Sequence, residues 1–492
     1  MPKFLRILIA SLLLTANASG DDPKPAAKPA EPKKVEAKPA DVPKPAETKK
    51  PTAPAMKPTV SFMKDVAPIL AQNCIACHNP KKAESKYVMT TFAALKKGGQ
   101  RGEEACLVPG SPDESDFVAM TRSDGDPRMP FKQDPLPPAK VAVLEKWVAE
   151  GATYDGKAPT EDWTIALRRS IPIVVPEAYP VAVPITALAF SPKVGELASS
   201  GYHEVNLWTL ADGKVARRLR GLPERIYDIA YSPDGKWLAT AGGDPGQFGS
   251  VKLWEVAADG SAKPVRELLE SIDCVFAVAF SPDNKTLAAA GADRAVRIWD
   301  VATGKELALI EDHADWIFDV AFSPDGKRLA SASRDKTAKV FDVAKKESLV
   351  TFPGHAESVY TVSFSADGKS VITGGGDNQI RVWNPDEDAK QIRTMGGAGG
   401  PVFKLCVLPD GKTIVACSAD AKVRVYVDNS LKQTLAGHKD WIYSLAVALD
   451  GKSIASGSWD GEVRTWSLPD GNPLTTILAA PGFKPTAQAS AK

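Results

Sequence analysis

The chain has 492 residues, of which 43% are apolar, and its 61 basic side chains stand against 60 acidic ones. This length is enough for more than one domain with a buried core. The balanced charge excludes the strongly basic surface that nucleic-acid binding requires. Six cysteines in so long a chain also exclude a scaffold built from disulfides.

Residues 1–18 predict a secretory signal peptide. Lys3 and Arg6 precede an apolar run over residues 7–14, and the small residues 16–18 form a cleavage site. The run is too short to cross a bilayer, and no other stretch has the ~20 apolar residues that a transmembrane segment needs. We therefore predict an exported protein, in the periplasm or at the cell surface, with no transmembrane segment.

Residues 19–57 predict a disordered linker. They consist mainly of Pro, Lys, Ala and Glu and show no apolar periodicity. Such a segment cannot bury enough surface to become ordered. It is expected to be a passive tail or an extended spacer, with a reach on the order of 100 Å when fully stretched.

The run Cys74-Ile75-Ala76-Cys77-His78 has the C-x-x-C-H pattern that attaches a c-type haem. The two thiols can form thioethers with one porphyrin, and His78 can then be the proximal iron ligand. A zinc site would need two more Cys or His residues nearby, and no His lies between residues 78 and 203. A thioredoxin-like pair should follow a strand, whereas residues 62–70 show helical periodicity. The pattern favours one haem c per chain.

Loop signals follow this run, then Arg128-Met129-Pro130, then a predicted closing helix that ends at Gly151. Residues 58–158 resemble the single-haem cytochrome domain common in planctomycete bacteria. The shared elements are S-F-x-x-D-x-x-P-I-L, P-G-x-P, R-M-P and W-x-x-x-G-A, here at residues 61–70, 109–112, 128–130 and 147–152. The resemblance implies a small all-α cytochrome c domain.

The same resemblance implies that Met129 is the distal iron ligand. A thioether sulfur is a soft ligand that raises the reduction potential. Met89 and Met120 compete with Met129 on sequence alone, although each could equally pack in a core. We interpret Trp147 as a packing residue of the closing helix rather than an electron conduit.

Beyond residue 159 the sequence repeats seven times. Each repeat has apolar strands, a tight turn and an aromatic in its third strand, and the aromatics are Trp208, Trp254, Trp299, Phe341, Trp383, Tyr426 and Trp466. Residues 180–480 resemble the WD-repeat β-propeller, although only Trp299-Asp300 keeps the literal dipeptide.

The predicted fold is therefore multidomain. A small all-α cytochrome c domain is followed by an all-β seven-bladed propeller over residues 170–482 and a disordered tail over residues 483–492.

The propeller resemblance implies structural tetrads in two blades. Blade five supplies His355, Thr373, Asp377 and Trp383, and blade seven supplies His438, Ser456, Asp460 and Trp466. Blade four has His313, Ser331 and Asp335, but Phe341 in place of the Trp. With His78 assigned to haem and His203 in a turn of blade one, no histidine is left as a general base. We also interpret Cys406 and Cys417 as buried small residues rather than a disulfide.

An aromatic recurs in the first strand of six blades, and blade one has Thr186 at that position. The six are Tyr227, Phe276, Phe318, Tyr360, Phe403 and Tyr443. Blade symmetry predicts a ring of these side chains near one mouth of the channel, with Trp316 and Trp441 two residues earlier. The ring could bind a partner protein, since aromatics form interaction hot spots, or it could pack blade against blade.

Three functions follow from these features. The first is an exported electron-transfer protein, whose haem domain exchanges single electrons with a redox partner while the propeller docks a protein. The second is an oxidoreductase subunit with a catalytic or second-cofactor site in the propeller. The third is a structural or redox-sensing scaffold. The sequence predicts no catalytic residue.

Overall fold

A computed structural model of the chain describes residues 58–80, 82–100, 102–170, 175–246, 248–271 and 273–483. The predicted signal peptide and linker, and residues 484–492 of the predicted tail, lie outside the described residues. The described residues belong to one compact unit, 58–492. Among them, no helix has both the length and the apolar character that a membrane crossing requires.

The described part of residues 58–170 contains short helices joined by turns and loops, with 3₁₀ turns at Glu84–Lys86 and Pro112–Glu114 and one isolated bridge between Thr91 and Asp162. A π-helical turn, Phe62–Val66, continues as α1 (Ala67–Asn73), followed by α2 (Phe92–Lys97), α3 (Glu103–Cys106), α4 (Asp116–Ala119), α5 (Pro138–Ala149) and α6 (Trp163–Ser170). The Ser61 hydroxyl starts the first of these by accepting a hydrogen bond from the Lys64 amide.

One aromatic core holds these helices together. The ring of Phe62 lies 5.4–5.6 Å from the rings of Phe92, Trp147 and Trp163, and both indoles are fully buried. Trp147 donates to the Thr153 carbonyl, so it is the packing residue that its place in α5 predicts. Since Trp163 belongs to the same core, the helical part extends through α6, beyond the predicted domain end at residue 158.

Residues 188–478 form seven four-stranded antiparallel sheets, each built from consecutive strands. Blade one contains β1 (Leu188–Phe190), β2 (Glu196–Ser200), β3 (Glu204–Thr209) and β4 (Val215–Arg220). Blade two contains β5 (Arg225–Tyr231), β6 (Trp237–Asp244), β7 (Phe248–Val256) and β8 (Ala262–Ser271). Blade three contains β9 (Val275–Phe280), β10 (Thr286–Gly291), β11 (Val296–Asp300) and β12 (Glu306–Ile310).

The remaining blades follow the same order. Blade four contains β13 (Ile317–Phe322), β14 (Arg328–Ser333), β15 (Ala338–Asp342) and β16 (Glu347–Phe352). Blade five contains β17 (Val359–Phe364), β18 (Val371–Gly375), β19 (Ile380–Asn384) and β20 (Lys390–Met395). Blade six contains β21 (Val402–Val407), β22 (Thr413–Ser418), β23 (Lys422–Val427) and β24 (Ser430–Ala436). Blade seven contains β25 (Ile442–Val447), β26 (Ser453–Ser458), β27 (Glu462–Ser467) and β28 (Pro473–Leu478).

The blades close into a ring around a channel. The first strands of successive blades pack against one another, and β1 packs against β25. The seven repeat aromatics all lie in third strands, so the predicted seven-bladed propeller is confirmed. At the junction of blades seven and one, the Tyr179 amide donates to the Pro481 carbonyl and the Ile185 amide to the Ser458 carbonyl. The segment before β1 therefore joins the two ends of the ring without exchanging a strand.

A buried ion pair of blade one binds the segment that precedes β1. The Glu204 carboxylate is fully buried and accepts hydrogen bonds from the Arg218 guanidinium at 2.7–3.0 Å and from the Tyr179 hydroxyl at 2.6 Å. Arg218 also donates to the carbonyls of Pro176 and Glu177. One guanidinium thus binds a buried carboxylate and two backbone carbonyls of the entering segment at once.

The predicted tetrads are confirmed in blade seven and corrected in blade five. In blade seven, His438 bonds Asp460 and Ser456, and the Trp466 indole donates to the Ser456 hydroxyl at 3.1 Å. In blade five, His355 bonds Asp377 and Thr373, but the Trp383 Nε1 has no acceptor among the described residues. That indole stacks on Phe352 instead, with ring centroids 5.0 Å apart.

Two smaller predictions concern blades four and six. In blade four, the His313 ring bonds Asp335 at 2.7 Å and Ser331 at 2.6 Å beside Phe341. Cys406 and Cys417 are both free thiols, as predicted, but only Cys417 is fully buried and Cys406 is half-buried.

Candidate functional site

The C-x-x-C-H run follows directly on α1. The Cys74 amide donates to the Leu70 carbonyl, and the amides of Cys77 and His78 both donate back to the Cys74 carbonyl. The chain therefore continues to coil through the motif. Cys74 is half-buried and Cys77 exposed, and both are free thiols. Burial, with a smaller contribution from the neighbouring Cys77, raises the pKa of the Cys74 thiol to about 12.

The imidazole of His78 is held in one orientation. Its Nδ1 lies 3.2 Å from the Tyr87 carbonyl oxygen, which can only accept a hydrogen bond, so Nδ1 carries a proton and Nε2 is the ring nitrogen left for a metal. Tyr87 is itself anchored, because its hydroxyl donates to the Leu95 carbonyl and lies 3.2 Å from the Cys106 sulfur. An imidazole whose Nδ1 donates to a carbonyl presents Nε2 for a metal. The donor set therefore fits a haem iron.

The three candidate methionines differ in their surroundings. Met89 is buried in the helical core, and its carbonyl accepts a hydrogen bond from the Trp163 indole at 2.7 Å. Met120 and Met129 are half-buried, and the Met129 amide donates to the Met120 carbonyl at 2.7 Å. Met89 is therefore a core residue, while Met120 and Met129 stay close together as the competing candidates.

A second candidate site lies in the channel, where the recurring first-strand aromatics meet. Tyr227, Phe276, Phe318, Tyr360, Phe403 and Tyr443, together called the channel belt, line one cavity of about 260 Å³ along with Thr186. Successive rings of the channel belt lie 4.8–5.6 Å apart. The predicted ring at the channel is confirmed.

Each member of the channel belt is the extra residue of a β-bulge. In blade four, for example, Ile317 pairs with Ser333 and Asp319 with Ala332, which leaves Phe318 without a partner across the ladder. The other five blades have the same irregularity at their aromatic. Because a bulge re-aims a side chain out of the regular pleat, it explains how the six aromatics come to line the channel.

Three tryptophans surround the channel belt. Trp316 and Trp441 are half-buried, with ring centroids 5.8 Å from Phe276 and 6.0 Å from Phe403 respectively. The guanidinium of Arg334 stacks on Trp316, 4.7 Å from its centroid. The sequence gives no signal for the third, Trp459, whose ring lies 5.8 Å from that of Tyr443 and whose backbone amide donates to the Trp441 carbonyl. The channel belt thus packs between blades, as one of its two interpretations predicts, and it also faces the cavity.

The channel also contains a charged group that sequence reasoning missed. The Lys404 Nζ lies 2.9 Å from Asp319, whose carboxylate also accepts hydrogen bonds from the Thr361 hydroxyl and the Val362 amide. Burial would lower the pKa of Lys404, but the carboxylates of Asp319 and Asp228 outweigh it and raise that pKa. These three charged residues each directly follow a belt aromatic, which is the signal that could have found them.

Asp228 lines the same cavity, and no cation contacts its carboxylate among the residues that the structure describes. Its two carboxylate oxygens accept hydrogen bonds from the amides of Ile229 and Val278, each at 3.0 Å. Burial raises the pKa of Asp228, Lys404 opposes the shift, and Asp319 adds to it.

A group of three possible metal ligands in blade seven is structural. His438, Asp460 and Glu462 bring ligand atoms within 4.8 Å of one another. However, both ring nitrogens of His438 are engaged in the tetrad, and Glu462 pairs with Arg464 at 2.7 Å.

Two protein families match the sequence. The family "WD domain, G-beta repeat" matches residues 213–255, 262–300, 304–342, 346–384, 389–426 and 429–467. The family "Planctomycete cytochrome C" matches residues 74–132, which include Cys74, Cys77, His78 and Met129.

Several curated proteins are similar to parts of the chain. Coronin-7 of Mus musculus is 31% identical over 171 residues, 33% of this chain and 16% of that protein. Nuclear distribution protein nudF 1 of Talaromyces marneffei is 29% identical over 133 residues, 26% of this chain and 28% of that protein. Centriole proteome protein 16 of Chlamydomonas reinhardtii is 38% identical over 64 residues, 13% of this chain and 3% of that protein. The chain spans 28% or less of each of these relatives.

The matched repeats are out of phase with the blades by one strand. The repeat at residues 262–300 contains β8, the outer strand of blade two, and β9, β10 and β11, the inner strands of blade three. The other matches follow the same scheme. In this phase a seventh repeat is split, with β28 at one end of the propeller and β1, β2 and β3 at the other. Six matched WD repeats and one split repeat thus account for the seven blades.

Proposed function

Because the chain carries a seven-bladed propeller of WD repeats, we propose that its principal function is to dock a partner protein at the mouth of the propeller channel. The observation that carries this proposal is the channel belt, extended outward by the half-buried Trp316 and Trp441. Aromatic side chains offer a large contact area at a small cost in conformational entropy, and hot spots are enriched in them. The similarity to such differently named proteins as Coronin-7 and nudF 1 supports a binding module that recurs in larger proteins.

The replacement of Trp316 and Trp441 by alanine tests this proposal. We expect the double variant to capture much less partner than the wild type. A hot-spot aromatic contributes about 2 kcal/mol or more to the free energy of binding, which corresponds to roughly thirtyfold in affinity. The measurement is quantitative affinity capture by the full chain, normalised to folded protein by its melting curve.

A matched control removes two exposed apolar side chains away from the channel mouth. Leu449 and Leu474 are 63% and 57% exposed, so Leu449→Ala with Leu474→Ala should leave capture unchanged. If the tryptophan variant instead melts early while capture per folded molecule stays constant, these tryptophans are packing residues and the docking site lies elsewhere.

A second candidate function, single-electron transfer by a covalently bound haem c, is favoured by the geometry around His78. Cys74 and Cys77 would form the thioethers, His78 Nε2 would be the proximal ligand and Met129 the distal one. The haem, when bound, supplies one-electron redox chemistry. The hydrogen bond from His78 Nδ1 to the Tyr87 carbonyl and the family match over residues 74–132 support this proposal. Export to the periplasm or cell surface belongs to the same proposal.

The two proposals combine into one protein. The propeller would hold a partner, and the helical part would either exchange electrons with it as a redox partner or report the redox state to it. Rapid electron exchange with the captured partner favours the carrier, whereas a partner whose capture depends on the haem oxidation state favours the sensing scaffold.

The distal ligand can be tested by comparing two neighbouring methionines. Met129→Ala is expected to lower the reduction potential and to remove the weak sulfur-to-iron absorption band of the oxidised protein, since a thioether ligand raises the potential. Met120→Ala is the matched control and should leave both properties unchanged. The reverse result would assign the ligand to Met120, and no change in either variant would reject methionine ligation.

A further inference from the structure

The cavity at the channel belt is lined by two charged side chains, Asp228 and Lys404. Lys404 is bonded at 2.9 Å to a third, Asp319. In the described part of the chain, no Lys, Arg or His nitrogen lies within 4.0 Å of the Asp228 carboxylate. Each of its oxygens accepts one backbone hydrogen bond, although an ionised carboxylate offers about four acceptor positions. The site therefore has room for a further donor that carries positive charge.

The aromatic surroundings favour the same kind of group. The faces of aromatic rings carry negative potential and attract a cation within about 6 Å of the ring centroid. One such contact exists already at the rim, where the Arg334 guanidinium lies 4.7 Å from the Trp316 centroid. A guanidinium or ammonium group entering the cavity would meet the rings of the channel belt and the Asp228 carboxylate.

The volume of the cavity limits what can enter it. At about 260 Å³ it lies below the range of roughly 300–1,000 Å³ that small-molecule and cofactor sites occupy. A second haem or a nucleotide is therefore too large, whereas a single long side chain fits. This argues against a second cofactor in this cavity.

We propose that the channel mouth binds a lysine or arginine side chain of the docked partner protein. Its cationic group would lie beside Asp228, and its aliphatic stem would pack against the channel belt, as these side chains do when they cover apolar surface. The inference rests on the proposed docking function and names the chemistry of the partner residue that enters the channel.

The test uses small mimics of the two side chains with the full-length protein. Butylguanidinium and butylammonium are titrated against protein labelled with fluorotryptophan, and butylurea serves as the uncharged control of similar shape. We expect saturable shifts of the Trp316 and Trp441 fluorine signals with both cations and none with butylurea. Equal binding of butylurea, or no saturable response to either cation, would overturn the inference.

The role of the carboxylate is tested with Asp228→Asn, which should weaken binding of butylguanidinium about tenfold, since a charged partner is replaced by a neutral one. Asp450→Asn, on an exposed hairpin, changes the net charge equally and should bind like the wild type. Unchanged affinity in Asp228→Asn would also overturn the inference.

Asp228→Asn also changes the group that accepts hydrogen bonds from two backbone amides, so Phe318→Leu provides a second test. It removes one aromatic face and keeps an apolar side chain, and it should weaken cation binding several-fold. Undiminished binding in a folded Phe318→Leu protein would exclude the channel belt as the binding surface. If the cations fail to bind while the tryptophan variant still loses partner capture, the docking function stands and only the cationic anchor is rejected.

Discussion

Replacing Cys74 and Cys77 together with alanine is expected to abolish covalent haem attachment completely, because the two thiols are the only groups in the C-x-x-C-H run that can form thioethers. Either single replacement should leave the haem on one thioether or lose it. The measurement is the mass of the denatured chain, together with the haem absorbance that survives acid extraction, for protein produced with a haem-attachment pathway.

Cys106→Ala provides the matched control, since it removes a buried thiol of the same helical part outside the motif. It should keep the haem. Haem that survives extraction from the double variant, or a wild-type chain that never acquires haem under these conditions, would contradict the proposed cofactor.

Glu204→Ala is expected to destabilise the propeller by about 3–5 kcal/mol, because it leaves the Arg218 guanidinium buried without its carboxylate. The loss should appear as a lower midpoint of chemical denaturation followed by tryptophan fluorescence. The entering segment loses the same contact, since Tyr179 also bonds Glu204.

Glu177 supplies a closely matched control. It pairs with the same arginine at 3.4 Å and with Arg220 at 2.8 Å, but its side chain is 81% exposed. An exposed ion pair contributes about 0–1 kcal/mol, so Glu177→Ala should change the midpoint little. Equal losses in the two variants would show that burial of Glu204 does not determine the stability of this junction.

The sequence predicts the features of the propeller that repeat. The spacing of Trp208, Trp254 and their equivalents predicts seven blades, because each period contains the same four strands. The channel belt is predictable for the same reason. Because the blades are related by symmetry, the same position in each first strand lies at the same height in the channel. What the period cannot show is the bulge at that position, which depends on pairing across the ladder.

For features that occur once in the chain, local pattern can point to the residues but does not show which of them come into contact. Asp228, Asp319 and Lys404 lie far apart in the sequence and meet because three first strands line one channel. The other tetrad residues of blade five are present, but the Trp383 indole stacks on Phe352 instead of donating to them. This arrangement is determined by side-chain packing in blade five. Likewise, Arg218 pairs with Glu204 on the neighbouring strand and also donates to the segment before β1, a contact that no local pattern shows.

In the helical part, too, some features follow from the sequence pattern and others depend on the fold. The helix before Cys74 and the closing helix around Trp147 follow from apolar periodicity, and both are present as α1 and α5. The orientation of His78 depends on the backbone carbonyl of Tyr87, nine residues later in the chain. Every residue has such a carbonyl, so the sequence does not show which one accepts the hydrogen bond. The order of residues therefore identifies the ligand candidates, while the fold determines their tautomer and anchoring.

Because each WD repeat is offset from a blade by one strand, a gene that encodes this propeller can lose or gain whole repeats and still encode complete blades. Deleting the codons of one repeat, such as residues 304–342, would remove β12 together with β13, β14 and β15. The strand left over, β16, would then follow β11 in the chain and could take the place of β12 beside it. Recombination between repeats would therefore remove or add one complete blade without leaving any strand unpaired.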